Sequence, residues 1–75
     1  MYDEIRKIVI QEINNSETVN LQDLYKMVLD LIDDDRTDKQ KKHRVRSILD
    51  GFRRTGYIFR IGPSTYAKNL EKQKH

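Results

Sequence analysis

The spacing of the apolar residues changes at Gly56, and that change limits the fold more than any other feature of the chain. Up to Phe52 the apolar residues recur every three or four positions, which is typical of helices that bury one face. Beyond Gly56, residues 57–61 and 65–68 are rich in β-forming side chains and are separated by Gly62-Pro63-Ser64. The order predicts an α+β domain in which helices are followed by a two-stranded hairpin.

Two helices are predicted before residue 33. The first runs from Tyr2 to Asn14. The second starts after Asn20, because Asn caps helix N-termini, and Asp23 is favoured in a first turn. Between the helices, Thr18-Val19 is too short to be an independent strand, but it can add one rung to a sheet. The residues predicted to be buried share the helical spacing: Tyr2, Ile5, Ile8, Val9, Ile13, Leu21, Leu24, Tyr25, Val28, Leu31 and Ile32.

The third helix is predicted to begin near Asp38. Thr37 and Gln40 have the spacing of a capping box, and Gly56 lies where a C-terminal glycine is expected. Its predicted buried face consists of Val45, Ile48, Leu49 and Phe52. The domain is therefore expected to span residues 1–69. Residues 70–75 are polar except for Leu70, so we expect a flexible charged tail.

Charge is distributed unequally along the chain. Residues 1–38 have four basic and ten acidic side chains, a net charge of −6, whereas residues 39–75 have eleven basic and two acidic ones, a net charge of +9. The basic half is the candidate for binding an anionic partner. The alternative is that the two halves neutralise each other across the fold.

Several function classes are disfavoured. Without Cys there is no disulfide framework, thiol nucleophile or cysteine-ligated zinc. The longest apolar run has three residues, too short to cross a bilayer, so a soluble, cytoplasmic protein is expected. The acidic run 33–35 does not begin a calcium loop, because Asp38 and Arg44 occupy the positions that require Gly and Glu. We expect no enzymatic activity, no cofactor and no metal.

The order of helix, short strand, helix, turn, helix and hairpin resembles the winged helix-turn-helix superfamily over residues 2–68. The most specific stretch is 48–67, in which a helix ends in Arg53-Arg54-Thr55-Gly56 and is followed by an apolar strand, a Gly-Pro tip and a Tyr-containing strand. The resemblance implies a double-stranded DNA-binding protein, a small transcriptional regulator that associates with the nucleoid. Its third helix would enter the major groove, and the hairpin would form a wing along the backbone or minor groove. The polar connection before the third helix is longer than the tightest helix-turn-helix turns.

A helical wheel places most basic side chains opposite the predicted core of the third helix. Arg can fork onto guanine and Gln can bridge adenine, and the N-terminal part of such a helix reads bases. We therefore predict base contacts from Gln40, His43, Arg46 and Ser47, and phosphate contacts from Lys39, Lys42, Arg44, Arg53 and Arg54. In the hairpin, Arg60, Ser64, Thr65 and Lys68 are predicted to hold the DNA backbone. Lys41 projects toward the core, and Asp50 is expected to pair with Arg46 or Arg54.

Alternatives exist at each level. The basic helix face can be an ordinary solvated surface, although such faces mix charges and only Asp50 is acidic between residues 39 and 70. Instead of contacting DNA, Ser64 can serve only as a turn residue, and Thr65 can serve only as a β-forming residue of the strand. Phe59 and Tyr66 either stack on single-stranded nucleic acid or lie in the core, which is favoured. The alternative functions are a winged-helix interaction module that binds a transcription-machinery protein or a host factor, and an RNA-binding domain. A second copy of the chain is a further expected partner, with which it would form a homodimer.

Overall fold

Three helices and a three-stranded antiparallel sheet make up the domain. A computed structural model describes residues 3–69; Tyr2 and the predicted tail at 70–75 lie outside the described residues. The elements are α1 (Glu4–Asn15), β1 (Thr18–Asn20), α2 (Leu21–Leu31), α3 (Asp38–Arg54), β2 (Ile58–Arg60) and β3 (Thr65–Lys68). The predicted α+β class is confirmed. Across residues 3–69 the longest helix, α3, is strongly charged, and no helix has the length and apolar character needed to cross a membrane.

The helices begin at side-chain caps. The Asn20 side chain accepts from the Gln22 amide at 2.8 Å, which starts α2 where the sequence predicts. The capping box of α3 is present in both directions, with Thr37 and Gln40 bonded at 3.1 and 2.9 Å. α1 starts later than predicted, because Asp3 caps it by accepting from the Arg6 amide.

The sheet joins the middle of the chain to its C-terminal hairpin. Its strand order is β1-β3-β2. Ala67 of the central strand β3 lies between Thr18 of β1 and Phe59 of β2. The expectation that Thr18-Val19 adds a rung is therefore confirmed. A hydrogen bond of 2.7 Å from the Leu21 amide to the Ser64 carbonyl also ties the start of α2 to the hairpin.

The core lies where the three helices meet the inner face of the sheet. Most predicted core residues are buried or packed against the core. The fully or almost fully buried ones are Ile5, Val9, Ile13, Val19, Leu24, Val28, Ile32, Val45, Ile48, Leu49 and Ile58. Leu31 was predicted to be buried and is 65% exposed. α2 ends at Leu31, and the extended backbone of Ile32 turns the Ile32 side chain inward instead.

The connection between α2 and α3 has six residues, 32–37. It is held from α3 by Lys41, whose ammonium donates to the Ile32 carbonyl at 2.8 Å. The Lys41 side chain is only 6% exposed, so its predicted direction toward the core is confirmed. At the other end of α3, Gly56 has a φ of 80°, which favours glycine and allows the chain to turn into β2.

Candidate nucleic-acid interface

The outward side of α3 carries the basic residues that the helical wheel places there. Val45, Ile48 and Leu49 bury one side of this 17-residue helix, so the opposite side faces solvent. Seven of the nine predicted contact residues on α3 are exposed: Lys39, Gln40, His43, Arg46, Ser47, Arg53 and Arg54. Lys42 and Arg44 are half-buried.

A groove of about 530 Å³ runs between α3 and β3. Its lining residues are His43, Arg46, Ser47, Asp50, Arg53 and Tyr66, and we call it the basic groove. Tyr66 comes from the central strand, where it is paired with Val19 and Arg60 on either side. Four predicted contact residues of α3 are thus brought together beside the hairpin, with Asp50 as the only acidic lining residue.

Tyr25 of α2 adjoins the same part of α3. The ammonium of Lys42 lies 5.5 Å from the centroid of the Tyr25 ring, a cation–π contact. Burial raises the pKa of the Tyr25 hydroxyl; the charge of Arg46 lowers this pKa, and Tyr66 raises it further. Tyr25, Arg46 and Tyr66 therefore lie near one another. Tyr25 was predicted only as a core residue, because its α2 spacing says nothing about which side chains of α3 and β3 approach it.

Asp50 forms an ion pair with Arg54 one turn later, at 2.8 Å between the charged atoms. This confirms one of the two pairings predicted for Asp50. The side chains of Arg54 and Asp50 are 80% and 47% exposed, so the pair is accessible to solvent. Breaking this exposed ion pair costs little free energy, so Arg54 can leave the Asp50 carboxylate and bind a phosphate.

Two predicted phosphate contacts are held away from the basic groove. Arg44 donates to Asp3 at 2.9 Å through Nε, and a second guanidinium nitrogen pairs with the same oxygen. Burial opposes ionisation of Asp3, but the hydrogen bonds from Arg44 and from the Arg6 amide hold its pKa below the ordinary value. Lys68 donates to the Asn14 carbonyl at 2.8 Å, at the C-terminal end of α1.

The remaining predicted contacts have local roles. Arg60 folds over the tip of the hairpin, where it donates to the Gly62 and Pro63 carbonyls at 2.9 and 3.0 Å. Gln40 uses its side-chain oxygen in the capping box, so bridging an adenine requires release of the Thr37 amide. Ser64 and Thr65 are half-buried at the end of the hairpin. For all thirteen predicted contact residues, nine on α3 and four in the hairpin, contact with DNA stays a prediction.

A second and larger groove, of about 990 Å³, lies on the α1 side of α3. It is lined by the carboxylates of Asp3, Glu4, Asp33 and Asp34 and by Arg6, Arg36 and Arg44, among others, and we call it the acidic groove. Arg36 pairs with Asp34 at 2.6 Å, and this bond lowers the pKa of Asp34. The acidic N-terminal residues therefore do not line the basic groove.

The basic groove and the convergence of cations around it favour binding of an anion. Comparison with known proteins finds no matching family model, curated protein or solved structure. The interpretation of the site therefore rests on its own geometry. Among residues 3–69, no group of three or more His, Cys, Asp or Glu side chains is arranged to hold a metal ion.

Proposed function

We propose that this chain is a winged helix-turn-helix domain that binds double-stranded DNA and acts as a small transcriptional regulator. The observation that carries the proposal is the basic groove. Four predicted contact residues of α3 lie together beside β3, and the carboxylates of Asp3, Glu4, Asp33 and Asp34 line a different groove. The order of the helices and the sheet order β1-β3-β2 are compatible with a hairpin that serves as the wing.

The dimensions of α3 suit the major groove of B-DNA. An α-helix with its side chains is about 10–12 Å wide, and the major groove is about 12 Å wide. In the proposed complex, Arg46, His43 and Ser47 face base edges, and Lys42, Arg53 and Arg54 face phosphates. Arg46 is suited to guanine, because its guanidinium can donate to both O6 and N7.

The decisive experiment removes two cations from the exposed side of α3. We expect the double variant Arg46→Ala, Arg54→Ala to lose most of its binding to duplex DNA while its Tm stays close to that of the parent. Both side chains are exposed, and Arg54 is held only by a solvent-accessible ion pair, so neither contributes much to folding. Binding is measured by fluorescence anisotropy at low salt and the fold by circular dichroism.

The matched control is the double variant Arg6→Ala, Arg36→Ala. It removes the same formal charge from residues that line the acidic groove. This control is expected to bind almost as well as the parent. Retained DNA binding by a folded Arg46→Ala, Arg54→Ala protein would contradict the proposal.

A second candidate function is a winged-helix module that binds a protein instead of DNA. The observation that favours it is an apolar patch on the hairpin, where Phe59 and Ile61 are 50% and 53% exposed. Alternate residues of a strand share a face, so the two side chains lie on the same side of the sheet. The partner would be a component of the transcription machinery or a second copy of the chain. A mobility shift with unrelated duplexes at low salt separates the candidates, because the interaction module leaves the duplexes unshifted.

A further inference from the structure

Two tyrosine hydroxyls near the basic groove have no partner within the described part of the chain. The rings of Tyr25 and Tyr66 pack against the core, and both side chains are half-buried. Neither hydroxyl forms a hydrogen bond with another residue in the range 3–69, whereas Tyr57 does have an interaction partner. Among residues 3–69 no buried side-chain oxygen lacks a partner, so both hydroxyl oxygens are exposed to solvent. The two hydroxyls are therefore available to a ligand.

Two cations of α3 lie beside these two tyrosines. Lys42 lies over the Tyr25 ring, and Arg46 is near enough to affect ionisation of Tyr25. Arg46 and Tyr66 also line the basic groove together. Asp50, the acidic residue in that groove, is paired with Arg54. Two neutral donors and two cations from α2, α3 and β3 thus converge.

We propose that Tyr25, Tyr66, Lys42 and Arg46 form a binding site for one backbone phosphate of duplex DNA. This inference rests on the proposed function, assigns Tyr25 and Tyr66 a role in it, and moves Arg46 from a base edge to a phosphate. A phosphodiester accepts hydrogen bonds from tyrosine hydroxyls, and its charge is neutralised by Lys and Arg. The site fixes where the DNA backbone crosses from α2 to the hairpin.

The contacts of the two rings favour a phosphate over a stacked base. Lys42 covers one face of the Tyr25 ring at 5.5 Å from its centroid. Tyr66 shares the inner face of the sheet with the buried Val19, its partner across β1, and its ring packs against the core. Base stacking needs an accessible ring face, whereas a phosphate needs only the hydroxyls and cations. The rings also hold the hydroxyls in place, so little conformational entropy is lost on binding.

The test removes each hydroxyl and keeps the ring. We expect Tyr25→Phe and Tyr66→Phe each to weaken binding to two unrelated 20-base-pair duplexes by about tenfold, the usual effect of losing one hydrogen bond to a charged group. The loss should be the same for both duplexes, because a phosphate contact is independent of sequence. The salt dependence should not change, because no charge is removed, whereas Arg46→Ala should make the slope shallower by about one.

Tyr57→Phe is the matched control. Its ring lies 5.5 Å from that of Phe52, and it lines surfaces beside Arg6 on the α1 side of α3. We expect this variant to bind both duplexes as the parent does. Tm values identify any variant whose loss of binding comes from unfolding.

A titration with inorganic pyrophosphate tests the site without DNA. We expect pyrophosphate to shift the ring NMR signals of Tyr25 and Tyr66 in the parent and not in Arg46→Ala. Parent-like duplex affinity in both Phe variants would overturn the site, as would unmoved ring signals. Shifted ring signals in a parent protein that binds no duplex would support a phosphate site and contradict the proposed function. In a competition experiment, tighter binding to structured RNA than to duplex DNA would show that the phosphate does not come from duplex DNA.

Discussion

At the scale of single residues, Lys41 shows that the basic run 39–42 does not act as a uniform surface. Lys41 is the one charged side chain that is buried among the described residues, and its ammonium binds the carbonyl of Ile32, the C-cap of α2. The last carbonyls of a helix lack partners within the helix and carry a partial negative charge, so they attract a cation. Lys41 therefore holds α2 to α3, while Lys39 is exposed and Lys42 lies half-buried over the Tyr25 ring.

The ion pair between Asp3 and Arg44 makes stability dependent on pH. The pKa of Asp3 is lower in the folded protein than its unfolded value of about 3.9, so the stabilisation is present above that pH and is lost as pH falls through the folded pKa. We expect Asp3→Asn to lower the free energy of unfolding at pH 7 by about 0.5–1 kcal/mol, because Asn keeps the helix cap and removes only the charge. The difference should be smaller at pH 2, because protonation of Asp3 weakens its pairing with Arg44. Urea unfolding at both pH values measures it.

Glu4→Gln is the control for this ion pair. It removes a carboxylate from the same turn of α1 and leaves the pair between Asp3 and Arg44 in place. It should produce a smaller change at pH 7. If Asp3→Asn were equally destabilised at pH 7 and pH 2, the ion pair would not be the cause.

At the scale of elements, the capping box determines where α3 begins. Thr37 accepts from the Gln40 amide, and Gln40 returns a side-chain oxygen to the Thr37 amide. We expect Thr37→Ala to lower the free energy of unfolding by about 1 kcal/mol, because an amide of the first turn loses its partner. Thr37→Ser keeps the hydroxyl and should remain near the parent value. Equal stability of the Ala and Ser variants in urea unfolding would show that the cap contributes nothing.

Local signals in the sequence predicted the elements well. The two helix caps at Asn20 and Thr37, the turn at Gly56 and the change of apolar spacing all depend on residues within a few positions of one another. The pairing of β1 with β3 was predicted only as an added rung, because it joins residues far apart in the chain, such as Thr18 and Ala67, which are 49 positions apart. Leu31 was placed wrongly because the spacing alone could not reveal that α2 ends there.

The candidate site was predictable to the extent that it lies on one helix. The helical wheel placed His43, Arg46 and Ser47 on one side, and these residues do line one groove. It could not reveal that Arg44 pairs with Asp3, 41 residues earlier, or that Lys68 binds Asn14, 54 residues earlier. Partners so distant in sequence are decided by tertiary packing.

At the scale of the whole molecule, charge is separated between two grooves on either side of α3. The acidic groove carries four carboxylates and three Arg, a formal charge of −1, whereas the basic groove carries two Arg and the carboxylate of Asp50, a formal charge of +1. The formal net charge of +3 is therefore distributed unevenly, with the positive excess on the side of the proposed DNA-binding surface. A field of this kind steers an anionic partner toward one side of the molecule.

The DNA affinity should fall steeply with salt. With about six phosphate contacts, the plot of log K against log salt concentration should have a slope of about −5, because each neutralised phosphate releases counterions. Anisotropy titrations between 50 and 200 mM salt measure this slope. The variant Arg6→Ala, Arg36→Ala should keep the slope of the parent. A slope shallower than about −2 would contradict a phosphate-rich interface.

The central position of β3 has a consequence for how the chain folds during synthesis. β3 is the only described strand that pairs with β1 and with β2, and it is the last of the three in the chain. While residues 65–68 are still inside the ribosome, neither edge strand has its neighbour, and the inner face of the sheet cannot cover the helices. The domain must therefore complete its folding after almost all of the described chain has been translated.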